Sequence, residues 1–133
     1  MTERSLSLDE ALSNIGKGWH PLVKCFYTCA GQTVVVDQVK EKFGGLRIYC
    51  RNNTAATKAY LEAIETLSFS ICEHCGAPGT ARSIIGRRYT LCGRCFAKSH
   101  KRAKQEFRRA VWRAKFQKLW NRMIKFVEDI THF

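Results

Sequence analysis

The residues of this chain best suited to chemistry are two CxxC pairs, Cys72-Glu73-His74-Cys75 and Cys92-Gly93-Arg94-Cys95, with sixteen residues between them. Each pair offers two thiolates from one tight turn, and the intervening loop brings the pairs together. Four thiolates close a tetrahedral shell, with no open position for a substrate. The expected cofactor is therefore one structural Zn2+ held by Cys72, Cys75, Cys92 and Cys95. His74 is a weaker substitute ligand inside the first knuckle. Cys25, Cys29 and Cys50 together with His20 offer a second donor set, but their spacing is irregular and small buried cysteines are common in cores. A nucleophilic cysteine would need a base and an electropositive pocket, and no Cys/His pairing is distinctive enough to supply them.

The elements that must position these cysteines follow from local patterning. Ser7 and Glu10 have capping-box spacing and start a short helix that Gly16 and Gly18 stop. Pro21 opens a second helical run from Leu22 to about Cys29. Thr33–Val36 is β-branched and reads as a strand. Val39–Phe43 reads as a polar helical turn ended by Gly44-Gly45. Leu46–Arg51 alternates, with Leu46, Ile48 and Cys50 inward and Arg47, Tyr49 and Arg51 outward. Asn52-Asn53-Thr54 caps a helix from about Ala55 to Leu67, with apolar residues at 3–4 spacing.

Within the cysteine segment, Ala81–Ile85 and Arg88–Leu91 flank Gly86-Arg87 and read as a β-hairpin. The second cysteine pair leads straight into helical sequence. Knuckle, hairpin and helix in that order make a treble-clef-like finger, and the helix N-terminus is expected to stabilise the Cys92 and Cys95 thiolates. From Phe96 onward there is neither Gly nor Pro. Phe96, His100, Ala103, Phe107, Val111 and Ala114 share one helix face; Trp112, Phe116, Leu119, Trp120, Met123, Val127 and Ile130 share nearly the opposite one. Either the helix breaks near residues 113–116 and folds back, or its second half meets a partner, including a second copy of the chain in a homodimer. The fold class is α+β: a small α/β region over residues 1–70, a four-cysteine zinc finger over 71–95 and a basic amphipathic helical region over 96–133, forming one compact domain with a helical appendage.

Charge narrows the partner. The net charge of +12 is uneven: residues 1–95 carry 12 basic and 8 acidic side chains, residues 96–133 carry 11 and 3. Such asymmetry suits a polyanion or an acidic protein surface. The helix presents Lys101, Arg102, Arg108, Arg109 and Arg113 to phosphate, and the finger hairpin adds Arg82, Arg87 and Arg88. Arg47, Tyr49 and Arg51 offer charge with a stacking ring. Trp112, Phe116 and Trp120 are candidate anchors for a protein partner. A membrane surface is disfavoured because charges encircle much of the helix. No stretch approaches the roughly 18 apolar residues of a membrane span. The first ten residues lack a basic segment followed by an apolar one, so no secretory signal is expected. Seven cysteines in that setting fit a reducing cytoplasm.

Gln38-Val-Lys-Glu-Lys-Phe-Gly-Gly-Leu-Arg-Ile-Tyr49, with Glu65, Ser68, Cys72-Glu-His-Cys75-Gly76-Ala-Pro78 and Leu91-Cys92, resembles a family of short, uncharacterised phage and prophage zinc-binding proteins. Its members carry a VKEKFGGLR[FIY]Y stretch followed by CxxCG…CxxC. The resemblance spans about Trp19 to Cys95 and implies a small zinc-binding accessory protein of a mobile element, in the cytosol of the host cell. It implies no activity, and the basic C-terminal helix lies outside it.

Two functions compete: a nucleic-acid-binding accessory protein that contacts mainly phosphate, and an inhibitor or adaptor that binds a host defence or transcription protein. A nuclease of the HNH type would need a water-activating histidine on the hairpin. Between Cys75 and Cys95 there is no His, Asp or Glu, so no enzyme is expected.

Overall fold

The computed structural model describes residues 4–131 as α+β. Helix α1 (Leu8–Ser13) is started by Ser7, whose hydroxyl accepts the Glu10 N–H. A single 3-10 turn, Lys17–Trp19, leads into α2 (His20–Ala30), with Pro21 in its first turn. Strands β1 (Val35–Lys42) and β2 (Gly45–Arg51) pair antiparallel. Helix α3 (Ala55–Ser68) is capped by Thr54, whose hydroxyl accepts the Thr57 N–H. Strands β3 (Thr80–Ile84) and β4 (Arg87–Leu91) form a second antiparallel hairpin, and α4 runs over Gly93–Thr131.

Two compact units result, Met1–Lys98 and Ser99–Phe133. In the first, Trp19, Val23, Phe26, Val36, Val39, Leu46 and Ile64 are buried in one core, with Leu6, Leu12, Ile48, Cys50 and Tyr60 packed around them. In the second, α4 alone is present, and every residue from Lys104 to Thr131 is exposed.

Three local expectations need correcting. Val39–Phe43 is not a helical turn: β1 continues through Lys42, and Val39 points into the core. A register shift between Val36 and Gln38 breaks the alternation that would otherwise have marked the strand. The finger hairpin turns at Ile85-Gly86, one residue earlier than Gly86-Arg87, with Ile84 opposite Arg87. Finally, α4 does not break near residues 113–116. The change of apolar face is a change in the stripe and not in the backbone, because Arg113, Ala114 and Lys115 are all good helix formers.

Both two-residue turns have positive φ at both central positions: Phe43 (53°) with Gly44 (80°), and Ile85 (49°) with Gly86 (76°). That is the twist-matched hairpin turn, in which the first position usually falls to Asn, Asp or Gly.

Candidate metal centre and basic helix

The Sγ atoms of Cys72, Cys75, Cys92 and Cys95 lie within 4.8 Å of one another. The first pair comes from a knuckle tied by Gly76 N–H to Cys72 O (2.9 Å) and Cys72 N–H to Ala77 O (2.7 Å). The second comes from the first turn of α4, where the Phe96 N–H donates to Cys92 O at 2.9 Å. The β3–β4 hairpin joins them. This is the knuckle–hairpin–helix order expected from sequence.

The donor set fits a thiophilic dication. A tetrahedron with metal–sulfur bonds of about 2.3 Å has sulfur–sulfur edges of roughly 3.8 Å, and Cys75 Sγ lies 3.6 Å from Cys92 Sγ. The protonation pattern points the same way. The Cys92 thiol is held down to about 6, first by the Cys95 backbone N–H, which points at its sulfur at 3.4 Å. Burial raises Cys72, but N–H groups of Cys92, Cys75 and His74 outweigh it and lower the thiol. Cys95 is pushed up to about 12 by burial and by the sulfurs of Cys92, Cys72 and Cys75. Four sulfurs this close resist losing all their protons unless a cation compensates. Among the described residues no other group of three or more potential ligands gathers. Instead the Cys25 sulfur is 2.9 Å from the Tyr60 hydroxyl, and His20 Nε2 is 2.9 Å from Leu12 O.

The knuckle is clamped from the N-terminal side. The Gly18 N–H donates to Glu73 O at 2.9 Å, and the buried Trp19 indole N–H donates to Ile71 O at 3.0 Å. A Cβ on Gly18 would sit 1.9 Å from Cys72 O. The sequence presents Gly16 and Gly18 as helix terminators, whereas Gly18 lets two backbones touch. Only the Gly-x-Gly-Trp spacing hinted at this.

The β1–β2 hairpin is docked onto the finger and α3 through its turn and the start of β2. Glu41 accepts the Gly44 N–H (2.8 Å) and the Arg87 guanidinium (3.0 Å). The Thr90 hydroxyl donates to Gly44 O at 2.6 Å, and the Thr90 N–H donates to buried Glu73 at 3.2 Å. Burial pushes the Glu73 carboxyl up to about 7, against the lowering effect of the Thr90 N–H. The Leu46 N–H donates to the Ser68 hydroxyl (2.9 Å), and Arg47 pairs with Glu65 at 2.8 Å. These contacts thus form a structural joint between hairpin, α3 and finger.

Several basic candidates are engaged in ion pairs or ring contacts at the surface. Arg87 is engaged by Glu41, Arg47 by Glu65, and Arg51 by Asp37 at 2.8 Å. Lys40 sits over the Tyr49 ring at 5.3 Å, and Arg82 over the Phe96 ring at 4.8 Å. Arg88 stays exposed on β4. It shares an open cleft of about 770 Å³ with Lys42, Phe43, Ile85 and Arg87. On α4, Lys101, Arg102, Arg108, Arg109 and Arg113 are all exposed, as are Trp112, Phe116 and Trp120. The Phe116 and Trp120 rings stack with centroids 6.4 Å apart.

The chain matches no protein-family model, no curated protein and no solved structure. Among the described residues no helix is long and apolar enough to cross a membrane.

Proposed function

We propose that this protein is a zinc-finger accessory protein of the phage or prophage type that binds nucleic acid mainly through phosphate. One observation carries the reading. Ten basic side chains of α4, from Lys101 to Lys125, are all exposed, and Glu106 is the single acidic residue among them. Among the described residues none of the ten is paired with a carboxylate. They are spread around the helix, which suits a linear array of phosphates better than one acidic patch on a protein. Arg88 and Lys42 beside the hairpin tips add a smaller basic surface.

In this reading the finger is scaffold and its ion is a structural Zn2+. Cys92 and Cys95 fix the first turn of α4 to the finger, and no residue is assigned a catalytic role. The test is binding of the full chain to duplex DNA, single-stranded DNA and RNA of scrambled sequence. Reversing Arg108, Arg109 and Arg113 to Glu should weaken binding to every sequence alike, while metal content and the melt of the finger stay unchanged. Full affinity in that variant would remove α4 from the interface. Binding to a host protein without affinity for any nucleic acid at low salt would replace this reading with the inhibitor or adaptor.

A further inference from the structure

The second half of α4 carries an apolar seam too regular to be incidental. Trp112, Phe116, Leu119, Met123, Phe126 and Ile130 follow one another at alternating steps of four and three residues. That is the a/d seam of a coiled coil, held for nearly three heptads. All six are exposed, between 56% and 74%, with Trp120 and Val127 widening the stripe along one edge. Stripes of this size on water-soluble helices mark an interface.

We propose that a second copy of this chain covers the seam, with the two helices antiparallel and centred between Leu119 and Met123. The seam is self-complementary in this register. Trp112 meets the partner's Ile130, Phe116 meets the partner's Phe126, and Leu119 meets the partner's Met123. Each pair recurs by the twofold, so all six layers are filled and none sets an apolar residue against a charge. Along one flank Lys115 faces the partner's Asp129, which gives two opposite-charge pairs per dimer. Along the other flank Trp120 faces its own copy.

Area and charge both favour this arrangement. At these exposures the eight side chains offer on the order of 800–900 Å² per chain, against about 800 Å² per partner in a standard stable interface. A parallel pair would set Arg109 beside its own copy and Arg108 against the partner's Arg113, with like charges adjacent over a whole turn. The antiparallel pair moves the two Lys98–Arg109 segments to opposite ends. The remaining like-charge contact, Arg122 against its copy near the twofold, is screened by salt. Each copy carries a net charge of +12, and salt screens that mutual repulsion as well as the two close Lys115–Asp129 pairs; with repulsion the larger, self-association should tighten as salt rises, the reverse of binding to a polyanion. The seam takes in none of Lys101, Arg102, Arg108 and Arg109, and of the nucleic-acid candidates only Arg113 borders it, beside the partner's Val127; the inference rests on the apolar seam and not on the nucleic-acid reading.

The experiment uses the full metal-loaded chain without nucleic acid. Sedimentation equilibrium should give twice the 15.3 kDa chain mass. Leu119→Glu with Met123→Glu should abolish the dimer and leave the metal in place. Orientation is read from two variants that each add one cysteine to the seven already present, Lys115→Cys and Asp129→Cys. After mild oxidation they should cross-link when mixed, and neither should cross-link by itself beyond the background of the unsubstituted chain. A monomer, a larger bundle, or self-cross-linking of each variant would overturn the proposal. So would a monomer whose seam takes up only an acidic helix of another protein.

Discussion

Gly18 occupies a position that no side chain fits, because an added Cβ would sit 1.9 Å from the Cys72 carbonyl oxygen that shapes the knuckle. Gly18→Ala should therefore cost about 1–3 kcal/mol, the usual range for overpacking a tight site. It should also speed metal loss, since the displaced carbonyl belongs to a ligand residue. Thermal melts and release of metal to a chromogenic chelator check both. Phe43 and Ile85 pose the opposite problem. Each holds a left-handed conformation, which costs an L-residue roughly 1–2 kcal/mol, and each is 69% exposed, so packing gives little back. Phe43→Asn and Ile85→Asn should each raise stability by about 1 kcal/mol, because Asn tolerates that backbone. If either variant melts lower than the unsubstituted chain, the exposed ring or branched side chain is being used in the fold after all. A gain in stability would make the apposed hairpin tips a place where stability has been given up for contact with something else.

At the scale of elements, the finger was legible because its signals are local. The CxxC pairs, the Gly86 turn and the helical run after Cys95 each act within a few residues. Metal is expected to be the finger's main staple, since structural zinc contributes about 10–16 kcal/mol in finger peptides. Cys92→Ser should lose the ion and melt β3, β4 and the first turn of α4. Retention of one metal per chain by elemental analysis in that variant would contradict the ligand assignment. The β1 strand was hidden for the opposite reason. A bulge shifts its phase and only one of its faces is covered, so the charged Lys40-Glu41-Lys42 run masked Val39. The docking of Glu41, Gly44, Ser68 and Glu65 was invisible because its partners are up to 46 residues apart, and spacing arguments do not reach that far. The continuity of α4 was open in the sequence because two apolar faces suggested two directions. Backbone propensity, uninterrupted by Gly or Pro, decided it.

For the whole molecule, composition carries the account further than fold does. The +8 balance of residues 96–133 was readable at once, and the structure adds that these charges stay in water while Arg47, Arg51 and Arg87 are engaged by carboxylates. Sequence alone could not sort the basic residues in that way, because ion pairing depends on long-range contacts. A phosphate-binding helix makes a quantitative demand that other partners do not. Each neutralised phosphate on duplex DNA steepens the affinity by about 0.9 log units per decade of salt. The most direct measurement is the dissociation constant of the full chain for a scrambled duplex as salt rises from about 50 to 200 mM. With five or six helix cations engaged, affinity should fall by roughly three orders of magnitude, and Arg108→Glu, Arg109→Glu and Arg113→Glu together should flatten the slope. A flat salt dependence, or no binding at the lowest salt, would contradict the account.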